Sequence, residues 1–197
     1  FAGKWLVQRL HRFQEQNPEI DVRISATDMM VDLTRGDFDV AIRYGAGRYP
    51  GLVVELLMKN EVFPACSPAL LRNGPPLETP ADLRHHALLH DQQVDRDPLA
   101  PTWSMWLKAA GVEDVSASPG LSFSTNVLAL EAAIAGHGVT LAYSTTAATD
   151  IAAGRLVRLF SLSLPDLFAY YVVTAPGALE RPKVRAFRDW LRQEADR

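Results

Sequence analysis

The sequence predicts an α/β fold, and three observations carry that prediction. Apolar residues recur at helical spacing in some stretches and alternate with a period of two in others, and the two kinds of stretch take turns along the 197 residues. Strands separated by helices need crossover connections, which give a mostly parallel sheet with helices on its faces. With 48% hydrophobic residues the chain can bury a substantial core, as one large domain or as two lobes of about 100 residues each.

Leu6, Leu10 and Phe13 share one helical face between Phe1 and Gln16, and Asn17-Pro18 stops that helix. Ile20, Val22, Ile24 and Ala26 alternate with Asp21, Arg23 and Ser25, as in a strand with one buried face. Asp28 is placed to cap a short helix through Arg35, and Gly36 to end it in a left-handed conformation. Strands follow over Phe38 to Ile42, Val53 to Leu57 and Val62 to Cys66, with the flexible segment Gly45 to Gly51 among them. Thr79-Pro80-Ala81-Asp82 joins a capping residue, a proline at the first helical position and an early acid, so a helix begins there. Trp103 to Ala110 is a helix closed by Gly111, and the short strand Leu121 to Phe123 runs into Ser124-Thr125-Asn126, which can cap an apolar helix as far as Ala135. Gly136 and Gly138 release the chain into the buried strand Val139 to Ala142. Another short helix ends at Gly154, Leu156 to Phe160 is a strand, and Pro165 marks a break. Phe168 to Thr174 is a long apolar strand, and Val184, Phe187 and Leu191 line one face of a closing helix. One organisation fits this order: a lobe of residues 1–63 with 168–197, interrupted by a lobe of residues 64–167. A single continuous sheet fits the pattern as well.

A formal charge of −3, from 20 basic and 23 acidic residues, offers no field to hold a polyanion, so direct nucleic-acid binding by this segment is disfavoured. No apolar run approaches the ~20 residues of a membrane-spanning helix. A single cysteine, Cys66, excludes an internal disulfide framework and any multi-cysteine zinc site, which suits a reducing cytosol. With neither an initiator Met nor a secretion signal at Phe1, the chain is expected to be processed or cut from a longer polypeptide.

The stretch Leu33-Thr34-Arg35-Gly36-Asp37-Phe38-Asp39-Val40-Ala41-Ile42-Arg43-Tyr44-Gly45 closely resembles the effector domains of LysR-type transcription regulators, in the branch of the glycine-cleavage activator and the β-lactamase regulators. Further stretches agree in order and spacing: Phe1 through Val7, Phe13 through Pro18, Phe63 through Pro68, Leu77 through Leu83, Trp103 through Gly111, Ala132 through Val139, Ala152 through Val157 and Phe187 through Leu191. The resemblance spans essentially the whole chain. It implies two Rossmann-like lobes joined by two crossover strands with a ligand cleft between them, akin to type 2 periplasmic binding proteins. It also implies a cytoplasmic homodimer or homotetramer that reads a small, polar or anionic metabolite, without catalysis and without a cofactor. Promoter DNA, and with it RNA polymerase, would be met through an N-terminal winged helix-turn-helix domain that these residues do not include. The family's first strand, expected just before Phe1, is not included either, and the turn after it supplies a ligand-contacting hydroxyl.

In open α/β sheets, ligands settle beyond the carboxyl ends of strands, where backbone donors and helix starts converge. Three places answer to this rule. Thr27 and Asp28 follow a predicted strand; Thr27 corresponds to a family pocket position, and helix capping is the alternative role, above all for Asp28. Arg43 and Tyr44 end another strand, where a guanidinium can take an anion with paired hydrogen bonds and the tyrosine can close over it; equally, Arg43 can hold the loop. Ser124, Thr125 and Asn126 precede a helix whose positive end favours a carboxylate or phosphate, with capping as the plain alternative. Tyr170 matches a pocket tyrosine of the β-lactamase regulators, or is a core aromatic. Phe63 is a cleft wall or packing, and Asp32 a weaker candidate that solvent can equally well hold.

Rival readings are thin. His85, His86, His90 and Asp91 cluster locally, but adjacent histidines point apart and nothing completes a tetrahedron. Cys66 has no activating cation near it in sequence and reads as a buried thiol. Gly45-Ala46-Gly47 lacks the third glycine and the helix of a phosphate loop. An extracytoplasmic solute-binding protein shares the lobed fold and stays open as the alternative.

Overall fold

A computed structural model describes residues 1–27, 29–92, 100–117 and 120–197. The chain divides into two units, Phe1–Lys59 with Phe168–Arg197, and Asn60–Leu167. Both boundaries fall inside long strands, β2 (Val53–Cys66) and β7 (Leu164–Thr174), so the chain passes from one unit to the other twice.

In the first unit, the helix expected over Phe1 to Gln16 is broken. Ala2–Leu6 winds as a π-turn, and α1 begins only at Leu10–Gln16. The wider winding sends the consecutive residues Trp5 and Leu6 both inward. Arg9 fills the break, donating to the Trp5 carbonyl at 2.9 Å and lying over its ring at 4.7 Å. These residues form one core with Phe13, Val172 of β7, and Trp190 and Leu191 of α6 (Pro182–Ala195). Buried Glu194 ties α6 to α1, accepting from Arg12 at 2.8 Å and from Arg197 at 2.6 Å.

Strand β1 (Ala41–Gly45) starts three residues later than expected and pairs antiparallel with β7, from Ala41 opposite Val173 to Gly45 opposite Ala169. The strand expected over Ile20 to Ala26 forms no ladder: Ile20 and Val22 lie against the core, but the backbone pairs with no strand and Ile24 is 41% exposed. The helix expected through Arg35 is also not formed over the described residues, which make turns and bends. The Asp32 carboxylate instead accepts from the Thr34 backbone N–H at 2.9 Å and its hydroxyl at 2.6 Å, local bonds that compete with helical ones. Gly36 does take a positive φ, +87°.

In the second unit, β5 (Val139–Tyr143) lies between β2, antiparallel with Val62 opposite Tyr143, and β3 (Leu88–Asp91), parallel with Leu88 opposite Val139. Strand β4 (Ser122–Phe123) runs parallel to β3, and β6 (Val157–Arg158) antiparallel to β2. The pairing is therefore mixed rather than mostly parallel, because β2 enters along the chain from the other unit instead of through a helical crossover. Neighbouring strand residues go to opposite faces: Val62, Leu88 and Leu141 join one core with Trp106, while Phe63, Leu89 and Ala142 join another with Leu130. Both faces are thus covered, as the apolar strands require.

Helix α2 (Pro68–Asn73) is capped by Ser67. The turn Pro80–His85 carries the Thr79–Asp82 capping box, although it winds as a 3-10 helix. Thr102 caps α3 (Trp103–Ala109), and Gly111 follows it at φ +71°. Helices α4 (Asn126–Ile134) and α5 (Ser144–Ala152) flank β5 in sequence. Three expectations about strands need correction. The two strands Val53 to Leu57 and Val62 to Cys66 are one, since the polar residues between them bond through their side chains and leave the backbone extended. The strand Leu156 to Phe160 shrinks to two residues, because Arg158 donates to the carbonyls of Phe160 and Ser161 and curls the chain. Pro165 is no break but the second residue of β7, a position near a strand's start that tolerates a missing N–H.

Candidate functional site

In the first unit the candidate residues gather at the end of β1. The Arg43 guanidinium donates to the Val31 carbonyl at 2.9 Å and stacks over the Tyr49 ring at 4.8 Å. Burial pushes the Tyr49 hydroxyl above its ordinary pKa, and the arginine opposes that shift. Arg43 thus links the segment before β1 to the loop after it. Gly47 permits this packing: at φ +74°, a Cβ there would meet the Tyr171 ring at 2.5 Å.

Tyr44 is 42% exposed and sits opposite Tyr170 in the β1–β7 ladder. Its ring meets Tyr170 at 5.1 Å and Phe168 edge-on at 5.6 Å, and buried Tyr170 also packs on Phe1 at 4.7 Å. The pair therefore forms an aromatic face open at Tyr44 and closed at Tyr170. Exposed Thr27 accepts from the Met29 N–H at 3.1 Å, a local turn bond that leaves its hydroxyl proton available. Asp28 lies outside the described residues. Asp32 is exposed, and its bonds from Thr34 hold its carboxyl below the usual range.

In the second unit, Ser124, Thr125 and Asn126 divide their work. Thr125 caps α4 by accepting from the Leu128 N–H at 3.4 Å, and Ser124 beside it is exposed. Asn126 turns inward, donating to the Leu141 carbonyl at 3.2 Å and accepting from the Thr146 hydroxyl at 3.1 Å, so it ties α4 to β5 and α5. Phe63 is 3% exposed, in core contact on one side and covered by the Arg158 guanidinium at 4.4 Å on the other.

Of the residues set aside at the sequence level, Cys66 is fully buried, and burial pushes its thiol up to about 11. No group of three or more His, Cys, Asp or Glu side chains among the described residues is placed to hold a metal. His90 and Asp91, however, line a pocket of about 50 Å³ at the carboxyl end of β3, with Thr102 and Trp103 at the start of α3 and Thr140 and Tyr143 of β5. A sequence signal existed, since the pair follows the apolar Leu88-Leu89 directly at a strand end; reading it as a failed metal cluster hid it.

The model of the LysR substrate binding domain matches residues 1–196. The glycine cleavage system transcriptional activator of Escherichia coli is 43% identical over 195 residues, 99% of this chain. The chain spans 62% of that relative's length. The transcriptional activator AmpR of Pseudomonas aeruginosa is 31% identical over 99% of this chain and 63% of its own. Among solved structures, the effector domain of AmpR from Pseudomonas aeruginosa superposes with a TM-score of 0.76 at 31% identity, covering all of this chain and 91% of that one. The AmpR effector binding domain from Citrobacter freundii gives 0.76 at 29% identity, covering all of this chain and 94% of that one. These relatives are transcription regulators, which favours a regulator over a transporter's solute-binding protein.

Proposed function

The chain belongs to the family of LysR substrate-binding domains, and from that premise we propose that it senses a small, polar or anionic metabolite for a transcription regulator. The observation that carries this reading is the end-to-end agreement with effector domains of regulators, in sequence and in fold together. Promoter DNA is then contacted by a part of the regulator outside these residues, consistent with the charge of −3 here. The regulator works in the cytoplasm as a homodimer or homotetramer, meets RNA polymerase at the promoter, and makes or breaks no covalent bond.

Thr27, Asp28, Tyr44 and Tyr170 in the first unit and Ser124 and Thr125 in the second are assigned to the effector. Arg43, Phe63 and Asn126 belong to the framework of the site: Arg43 links Val31 to Tyr49, Phe63 lies under the Arg158 guanidinium, and Asn126 ties α4 to β5 and α5. A metabolite changes the regulator only so far as it binds one conformation more tightly than another. The experiment is a thermal-shift screen of metabolites on this chain, followed by operator binding of the whole regulator with each hit. An effector present at a hundred times its Kd adds about 2.7 kcal/mol of stability. If no compound raises the melting temperature, and operator binding is indifferent to every metabolite tried, the reading fails.

A further inference from the structure

We infer that the Arg43 side of the β1–β7 ladder holds a subsite for a small oxyanion, a carboxylate or phosphate group, with the hydroxyls of Tyr49 and Tyr171 as its donors. Arg43 stands opposite Tyr171, and Tyr44 opposite Tyr170. Successive strand residues go to opposite faces, so Arg43 and Tyr171 share the face turned away from Tyr44 and Tyr170. Tyr49, from the loop after β1, lies over the Arg43 guanidinium at 4.8 Å and completes a cluster of a guanidinium and two phenols. All these residues are half-buried. A hydrogen bond to a charge gains strength where water is partly excluded, and a small ion still reaches such a place from solvent.

The two hydroxyls end over the same short run of backbone. A Cβ at Gly45 would stand 2.8 Å from the Tyr49 hydroxyl oxygen, and one at Gly47 2.8 Å from that of Tyr171, so both tips lie against Gly45-Ala46-Gly47. Burial raises the Tyr49 hydroxyl above its ordinary pKa, Arg43 opposes the rise and Tyr171 adds to it, so Tyr49 keeps its proton to donate. No carboxylate among the described residues acts on that hydroxyl. Neither phenol has a hydrogen-bond partner among the described residues, and of the guanidinium's N–H groups one is taken, by the Val31 carbonyl at 2.9 Å. Free O–H donors beside an always-charged guanidinium are the set that an oxyanion takes. Arg43 supplies the charge while keeping its place in the frame.

The test is an NMR titration of the nitrogen-labelled chain with sodium acetate and, separately, with sodium phosphate, at fixed pH and ionic strength. It is read at the amides of Gly45 and Gly47, which lie beside the two hydroxyls. A saturable shift is expected with acetate if the site takes carboxylates and with phosphate if it takes phosphate groups, and none with sodium chloride. Tyr49→Phe and Tyr171→Phe keep the rings and remove only the donors, and each is expected to weaken binding about tenfold. Shifts that never saturate with either oxyanion, that chloride reproduces, or that either variant leaves unchanged overturn the assignment. Should a variant fail to fold, the comparison of the oxyanions with chloride in the unmodified chain decides alone. Failure here leaves the effector reading intact, because that reading is decided by the metabolite screen and the operator assay.

Discussion

The side-chain oxygen of Asn60, on β2, accepts both the backbone N–H of Thr145, at 3.2 Å, and its hydroxyl. The Ser144 hydroxyl donates to the same oxygen at 3.3 Å and accepts from the Glu61 N–H at 3.2 Å. Tyr143, in the capping position of α5, makes no side-chain capping bond to the helix, so a strand distant in sequence caps it. Asn60 is 6% exposed, and Asn60→Ala leaves these donors with no ready water. A loss of about 1–2 kcal/mol is expected from urea unfolding. An unchanged midpoint would show that the helix start is satisfied in some other way.

Two glycines with positive φ make a matched pair of opposite outcome. At Gly138 a Cβ would stand 2.2 Å from the Ala87 carbonyl oxygen, which already accepts from the Val139 N–H at 2.9 Å. Gly138→Ala therefore forces β3 and β5 apart where their pairing begins, at a cost of about 3 kcal/mol or more. Gly154, at φ +68°, has open space where its Cβ would be. Gly154→Ala carries only the backbone penalty, about 1 kcal/mol. Denaturant midpoints of the two variants should differ accordingly; similar values would mean the contact at Gly138 relaxes freely.

These cases also show what a sequence can and cannot tell. Gly111, Gly154 and the Thr79–Asp82 box were readable because their chemistry is complete within a few residues. The same locality misled at Asp28 to Arg35, where capping signals pointed to a helix and the Asp32–Thr34 bonds made a turn. Asn126 read as one of three caps because Leu141 and Thr146, which take up its side chain, lie 15 and 20 residues away. Asn60 gave no signal at all, since the helix it caps is 85 residues distant from it. At the candidate site, residue types were legible, but that the Arg43 guanidinium reaches the Val31 carbonyl depended on where the chain folded back.

Cys66 predicts an alkaline weakness. Burial raises its thiol from an ordinary 9.0 to about 11, so between those values an unfolded chain releases the proton while the folded one retains it. The stability tied to the neutral thiol is full below the unfolded value and is lost as pH rises through the folded one. Melting temperatures of the unmodified chain should fall more steeply from about pH 9 upward than those of Cys66→Ala. Parallel curves would mean the thiol is reached by water at high pH. Iodoacetamide at neutral pH should label the thiol only as fast as the chain opens.

On the proposed reading Thr27 is a ligand contact and Arg43 part of the scaffold around it, and the two can be told apart. Thr27 is exposed and its hydroxyl accepts a local turn bond from the Met29 N–H, so Thr27→Val should leave stability within about 0.5 kcal/mol. Arg43 joins Val31 to Tyr49, and a lysine cannot reproduce a planar group that stacks and donates at once. Arg43→Lys and Arg43→Ala should therefore speed amide exchange over the segment ending at Gly36 and the loop around Gly47, which Thr27→Val should not. In the whole regulator, all three variants should lose the response to effector while still binding operator without it. The loss in Thr27→Val would then mark a missing contact, and the loss in the arginine variants a loosened frame. A full response in Thr27→Val removes that hydroxyl from the site, and unchanged exchange in Arg43→Ala shows that the two loops are held without the guanidinium.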